Sequence, residues 1–302
     1  MVPKVAVLIL NYENSQDTIE CIESVKKLDY SHYEILVVDN GSRDDSSAKI
    51  RNKFSDIIFI QNQANLGYTG GNNVGIRHAL QDGYDYVFIL NNDTVVSSDA
   101  LTKLVSTAEK NPIATLVAPM VCFYDRPKII DSLGTGINWF RLRALEGVWG
   151  QEDKGQFREP VEKMIMPGSA WLGKRKLFEE VGLFYEPFFI FHEDMDLCLR
   201  NRKKGFKNLV VPDAVVYHKI SRTMSRYPFL VAYYSTRNFL YVSKWHASLW
   251  NRIQSRVGLC LLMAKKFFIL LFCLKEKEKI LGFFTGVRDF YLNRVGKFEE
   301  KV

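Results

Sequence analysis

Tyr84-Asp85-Tyr86-Val87-Phe88-Ile89-Leu90-Asn91-Asn92-Asp93-Thr94 is the stretch whose reading decides the fold class of this chain. Five consecutive apolar or aromatic residues, Tyr86 to Leu90, spell a strand buried on both faces, as parallel strands between two helix layers are. The strand runs straight into a carboxylate preceded by two amides. A charge at the end of a buried strand needs a partner. In open α/β sheets the carboxyl ends of the strands face the ligand crevice, so Asp93 stands where a bound divalent cation or nucleotide would supply that partner. The structural alternative is that Asn92-Asp93 only turns the chain and caps a helix starting near Ser98.

Working outward, Val5 to Leu10 is a short apolar run ending at Asn11-Tyr12, followed by a helical stretch from about Gln16 to Leu28 with Ile19, Ile22 and Val25 at three-residue spacing. With one Lys and six apolar residues before Asn11, this opening reads as a first strand rather than a signal peptide. Tyr33 to Val38 is a second buried strand that runs into an acid, Asp39, then a Gly turn. Ser46 to Phe54 suits a helix and Ile57 to Ile60 a strand. Asn65-Leu66-Gly67-Tyr68-Thr69-Gly70-Gly71-Asn72-Asn73 then reads as a Gly/Asn-rich loop leading into a helix from about Asn72 to Gln81. Its glycines either let the backbone turn and pack closely or let a ligand approach a bare main chain. A helix from Ser98 to Lys110 and a strand from Ala114 to Val121 complete a βαβαβαβ alternation, the mark of a mostly parallel sheet with helices on both faces.

Residues 122–165 lose the pattern and predict loops and short antiparallel strands that carry substrate-contacting surface. Met166 to Gly173 resumes as strand and turn, and Lys174 to Val181 as a short helix. The aromatic segment before Phe191 gives way to His192-Glu193-Asp194-Met195-Asp196-Leu197-Cys198-Leu199-Arg200, a helix that opens on acids, with Asp196 and Arg200 spaced to pair on its surface. Acids favour a helix N-terminus through its dipole. Placed next to buried rings, the same carboxylates become more basic by desolvation and suit a general base. Leu209 to Pro212 and Val215 to His218 predict a last pair of short strands, ending in a histidine that is either structural or a metal ligand.

These segments together resemble the family 2 glycosyltransferases of the GT-A fold, in particular their rhamnosyltransferase-like branch. The likeness rests on Val7 to Tyr12, Val37 to Ser42, Asn65 to Asn73, Leu90 to Thr94, Gly182 to Phe184, Phe188-Phe189, Glu193 to Arg200 and Val216 to His218, in the family's order. It implies an inverting transfer of a sugar, rhamnose for that branch, from a nucleotide-diphosphate sugar to an acceptor hydroxyl in cell-surface polysaccharide or glycolipid synthesis, with Mn²⁺ or Mg²⁺ as cofactor. By position, Asp39 would bond the nucleobase, and Asn11, Tyr12, Asn65, Gly67, Gly70, Gly71, Asn72 and Asn73 would line the nucleotide and donor-sugar pocket. Asn91-Asn92-Asp93 takes the place of the DxD motif, with Asp93 as direct metal ligand and His218 as a further one. Asp194 would be the catalytic base, with Glu193 beside it. Two departures are Asn91 in place of the first acid of DxD, which leaves fewer charges on the cation, and Tyr185 where the family often has Asp.

The resemblance covers a catalytic domain of residues 1–228. Residues 229–302 form a second unit that holds 13 Lys and Arg against 5 Asp and Glu, whereas the body holds 28 against 29. The apolar run from Val257 to Leu274 is split by Lys265-Lys266, too polar at its centre to span a bilayer. It predicts amphipathic helices on an anionic membrane surface, or an appendage that packs on the domain or forms a homodimer interface. Five widely spaced cysteines suit a reducing compartment. The expected setting is cytoplasmic, peripheral on the inner face of the cell membrane, with a glycan or lipid-linked acceptor. A sugar-phosphate nucleotidyltransferase is disfavoured because Asn11 to Asp17 lacks the Gly-rich basic loop such enzymes carry after the first strand. Nucleic acid is disfavoured because the tail's aromatics sit among leucines rather than interleaved with cations.

Overall fold

Apolar runs short enough for strands and amphipathic stretches long enough for helices alternate from the start, and the chain winds accordingly. The computed structural model describes residues 2–219, 226–272 and 276–299. Strands β1 (Val5–Asn11), β2 (Tyr33–Asp39), β3 (Ile58–Gln61) and β4 (Tyr86–Asn91) pair in parallel in the order β3-β2-β1-β4. The order reverses at β1, which opens a crevice at the carboxyl ends of β1 and β4. Register places Asn11 beside Asp39 and Leu10 beside Asn91, so the polar ends of three strands meet at one rim.

The sheet continues through β11 (Ala170–Lys174), antiparallel to both β4 and β6 (Ala114–Phe123), and through β12 (Lys207–His218), parallel to β6. One side is covered by α1 (Ser15–Val25), α2 (Ser46–Lys53) and α4 (Ala100–Lys110), whose Ile22, Ile50 and Leu104 share a core with Val7 and Phe88. The other is covered by α3 (Gly67–Gln81), α5 (Arg175–Glu180), α6 (Glu193–Lys203) and α7 (Pro228–His246), through Ile76, Leu177, Leu197 and Phe239. Two-sided burial is why β4 and β6 are apolar without alternation.

Several expectations need correction. The Gly/Asn stretch is helical from Gly67 rather than from Asn72. Glycine's poor helix propensity is overridden by packing: a Cβ at Gly71 would lie 2.5 Å from Leu10 Cδ1, and one at Gly75 2.3 Å from Leu8 Cδ1, so the bare backbone lets α3 lie close on β1. Asn92-Asp93 does not cap a helix. The chain instead forms β5 (Thr94–Val96), and α4 begins only at Ala100. The two short strands expected near residue 211 are one strand, β12, irregular between Val211 and Val215, so that Pro212 sits where no ladder bond is lost. Asp196 is buried rather than on a surface, bonded by Arg200 Nε and His246 Nε2, each at 2.8 Å.

Residues 122–165 do form short antiparallel pieces: β7 (Ile130–Ser132), β8 (Ile137–Asn138), β9 (Arg143–Ala144) and β10 (Val161–Glu162). Beyond residue 228, α7 is followed by α8 (Leu249–Phe272) and α9 (Lys277–Tyr291). Phe239, Tyr241 and Val242 of α7 belong to the main core, so the expected boundary at residue 228 falls just before a helix built into the catalytic body. Cys273 and Leu274, the end of the apolar run, lie outside the described residues. The described cysteines are free.

Candidate active site

A hydrogen-bond chain runs along the rim of the sheet. Asp39 is fully buried; its Oδ1 accepts from Asn11 Nδ2 at 2.7 Å and Ser42 Oγ at 2.6 Å, and its Oδ2 from the Ser42 N–H at 3.0 Å. Asn11 Oδ1 in turn accepts from the Thr18 hydroxyl, whose oxygen accepts from Asn92 Nδ2 at 3.0 Å. Residues from β2, β1, α1 and the turn after β4 thus form one network that ends beside Asp93. Tyr12 is exposed at its edge.

The antiparallel pairing of β5 with β12 sets Thr94 opposite His218 and brings the imidazole onto Asp93, with Nε2 3.3 Å from Oδ1. The other ring nitrogen lies 3.1 Å from Asp131 Oδ2. Burial pulls the imidazole's pKa down, but hydrogen bonds to Asp131 and Asp93 outweigh it and raise it to about 9. A carboxylate behind a histidine is how a ligating imidazole is commonly oriented. Among the described residues no three His, Cys, Asp or Glu side chains group with metal-holding geometry. A cation at Asp93 and His218 would have one carboxylate and one imidazole from the chain and would take its other ligands from phosphates and water. The residues fit such an incomplete site. The side-chain oxygen of Asn91, buried and without a hydrogen-bond partner among the described residues, adds a neutral donor at the same strand end.

The acids of α6 reach this rim through β11. The Asn91 N–H bonds Ser169 O at 2.9 Å, and at the neighbouring Gly168 a Cβ would lie 2.9 Å from Asp194 Oδ2, so only glycine lets that carboxylate come so close. Tyr68 marks the meeting point. Its phenol is held well above its ordinary pKa by burial and by the charges of Glu193, Asp194 and Asp93 together. Burial and the Asp194 charge push Glu193 up to about 8, and its Oε2 has no hydrogen-bond partner among the described residues. Asp194 is also raised by burial, and its Oδ1 accepts the Met195 N–H at 2.7 Å. Near neutral pH Glu193 therefore holds a proton, and burial makes the Asp194 carboxyl beside it more basic than usual.

The segment that presents these acids is bent tightly. Phe189, Phe191 and His192 all have positive φ, near 70°, a conformation that costs non-glycine residues about 1 kcal/mol or more each. It is clamped from both sides. From α3, the Thr69 N–H bonds Phe189 O, and Gly67 leaves no room for a Cβ against that carbonyl, 2.3 Å away. From α7, Asn238 Nδ2 donates to Phe188 O, Ile190 O and Phe191 O, at 3.0, 2.8 and 2.9 Å. Arg237, fully buried, donates to Pro187 O and Phe188 O, both at 3.2 Å, and to Gly296 O at 2.8 Å.

Several residues expected in the donor pocket also make contacts that hold the protein together. Asn73 accepts the Phe184 N–H and donates to Phe184 O, and Asn65 Oδ1 accepts the Gly67 N–H at 2.8 Å. Gly71 packs on Leu10, and Gly70 lies against its own helix turn at Leu66. Asn72 donates to Tyr68 O and keeps a buried oxygen with no partner among the described residues. Residues without an assigned role in the sequence now have one. Asn40 ties Asn62, Leu66 and Gly67 together, Asp131 orients His218, and Arg237 and Asn238 hold the acid-bearing segment. An arginine set between Tyr233-Tyr234 and the apolar stretch Phe239 to Val242 was the available signal for Arg237.

Known proteins bear on this cleft. The chain is 27% identical over 310 residues to a low-salt glycan biosynthesis hexosyltransferase, Agl10, of Haloferax volcanii, covering 99% of this chain and 94% of the relative. It is 25% identical over 240 residues to the N-acetylglucosaminyl-diphospho-decaprenol L-rhamnosyltransferase of Mycobacterium tuberculosis, covering 72% of this chain and 76% of that one. Among solved structures, the mannosyltransferase PcManGT of Pyrobaculum calidifontis, in complex with GDP-Man and Mn²⁺, superposes with a TM-score of 0.58 at 15% identity, covering 97% of this chain and 88% of its own. GalNAc-T7 with UDP, GalNAc and Mn²⁺ superposes with a TM-score of 0.57 at 19% identity, covering 72% and 44%. Those two likenesses establish the GT-A fold. Residues 6–182, more than half of the chain and all of the strands that end at the rim except β12, match the model of glycosyl transferase family 2, and the chain belongs to that family of inverting glycosyltransferases.

Proposed function

We propose that the donor diphosphate lies over the ends of β1 and β4, between the Asn11-Asp39 network and Asp93, and that Asp194 takes the proton of the acceptor hydroxyl from the opposite side. The observation that carries this reading is that Asp194 Oδ2 lies against Gly168, next to Ser169, whose carbonyl accepts the N–H of Asn91 two residues before Asp93. A nucleophile approaching between Asp194 and the sugar attacks opposite the leaving diphosphate. The new C–O bond forms as the C1–O phosphate bond breaks, the diphosphate leaves with the electron pair, and the hydroxyl proton passes to the Asp194 carboxylate. Glu193, protonated below about pH 8, adds no second charge to repel an incoming diphosphate.

Asp93 and His218 would hold Mn²⁺ or Mg²⁺, which when bound neutralises charge on the leaving diphosphate. Asp39 would read the nucleobase once the Ser42 turn moves aside, since that turn now covers both carboxylate oxygens. Rhamnose is the donor sugar to test first, given the L-rhamnosyltransferase among the relatives, and a lipid-linked glycan the acceptor class.

The enzyme would work as a peripheral protein on the inner face of the cell membrane. Leu249, Trp250, Ile253, Val257, Leu261 and Phe268 leave a large apolar stripe exposed along α8, the kind of face that lies in a membrane interface. Among the described residues no helix is long and apolar enough to cross a membrane. The deciding experiment is a panel of nucleotide sugars, dTDP-rhamnose first and then UDP- and GDP-sugars, scored for thermal stabilisation and slow donor hydrolysis with and without Mn²⁺. Stabilisation by one donor that rises with Mn²⁺ supports the reading; none from any donor removes it.

A further inference from the structure

A groove of about 460 Å³ lies among α7, α8 and α9. Val231, Phe239, Leu262 and Phe283 make its walls apolar, and Ser235, Thr236, Lys266 and Lys279 supply its polar groups. Its inner end reaches the acid-bearing segment. The Phe239 ring stands edge-on to the His192 ring at 5.5 Å, and His192 also bonds the Ser235 backbone. His192 immediately precedes Glu193 and Asp194. At its outer end the groove is flanked by α8, which carries the exposed apolar stripe.

The cations in the groove are not equivalent. Lys279 is exposed and pairs with Glu276 at 3.3 Å. Lys266 is half-buried, 5.0 Å from the centre of the Phe283 ring, and among the described residues no carboxylate is in ion-pair contact with it. Burial accordingly lowers its pKa. An ammonium half withdrawn from water beside a ring, which feels the Glu276 charge without pairing with it, is better held when a further anion arrives. Two ammoniums and two hydroxyls in one apolar groove match a phosphate, which has several acceptor oxygens and more than one charge, better than a carboxylate.

We propose that this groove binds a long-chain lipid phosphate, the anchored end of the acceptor, with the phosphate at Lys266 and Lys279. The lipid chain runs out along α8, and the group to be glycosylated points past His192 toward Asp194. The proposal rests on the transferase reading of the cleft and on a lipid-linked acceptor, and adds the place where the acceptor's lipid phosphate is held. It also gives the basic, apolar C-terminal helices a specific task beyond adhesion to a membrane.

The test uses the full chain with farnesyl phosphate, farnesol and inorganic phosphate as separate probes, read by tryptophan fluorescence and calorimetry. Farnesyl phosphate should bind at least tenfold more tightly than farnesol, with inorganic phosphate weaker than both. Lys266→Gln should remove that preference, Lys266→Arg should keep it, and Ala232→Trp, which fills the groove, should weaken both lipids. Circular dichroism and melting of each variant check the fold. Equal binding of farnesyl phosphate and farnesol, or an unchanged preference in Lys266→Gln, would overturn the proposal. So would phosphatidylglycerol vesicles that compete as well as farnesyl phosphate, since the groove would then be reading any anionic lipid surface. Mn²⁺-dependent donor stabilisation of the unaltered protein is measured in parallel, so failure of the cleft assignment and failure of the groove assignment give different results.

Discussion

The two sides of the cleft are built in opposite ways. On the side of β1 and β2, Asp39 is buried with three donors from its own chain, and Asn11, Thr18 and Asn92 extend the network without a gap. On the side of α6, Glu193 has an oxygen without a partner among the described residues, and three non-glycine residues of positive φ lie within the four residues before it. Satisfied networks fix a shape and cost little to maintain. Strained, desolvated segments persist only where the surroundings over-determine them, and they hold groups at unusual basicity. The first side therefore suits recognition of a constant part of the donor, and the second suits proton transfer.

The sharpest way to break this contrast is Asp194→Asn. Transfer should fall by about 10³-fold or more, the range of a lost general base, while donor affinity measured by calorimetry stays unchanged. If transfer survives, the proton goes elsewhere. Asn238→Ala should come next. Releasing three carbonyls of the bent segment should lower kcat by about 10²-fold, as a displacement near 1 Å does, with the donor KM unchanged. An equal change in kcat and KM would mean that α7 supports the whole cleft rather than the acids. On the donor side, Asp93→Ala should erase the gain in nucleotide affinity that Mn²⁺ gives, an effect of about tenfold, with metal-free binding unaltered. The smallest expected change is Glu193→Gln. Because Glu193 is protonated below about pH 8, the amide should keep transfer at pH 7 within about threefold and remove only the transition near pH 8 from the rate profile.

The same contrast explains what could be read from the chain alone. Strands β1, β2 and β4 and the polar residues at their ends were legible because each is a local run of buried residues meeting a local polar stop. The acids of α6 were legible because an acidic helix start directly after aromatic residues is itself a local anomaly. What escaped depends on contacts between distant segments. The helical start at Gly67 is decided by the side chains of Leu8 and Leu10, which lie against Gly75 and Gly71. Asp131 comes from a segment with no periodicity and matters only because β5 pairs with β12 and turns His218 toward it. Arg237 and Asn238 hold main-chain carbonyls of the segment 47 to 50 residues earlier in the chain, and carbonyls carry no sequence signature. A three-residue strand such as β5 is likewise too short to declare itself.

The central claim is that the carboxylates at positions 39, 93 and 194 face one cleft with a donor between them. A crystal structure with the stabilising nucleotide sugar and Mn²⁺, phased on the manganese anomalous signal, addresses it directly. The account predicts a manganese peak in coordination contact with Asp93 and His218, the base against Asp39, and the anomeric carbon turned toward Asp194. A donor bound with its sugar away from Asp194, or manganese at a site without Asp93, would contradict it.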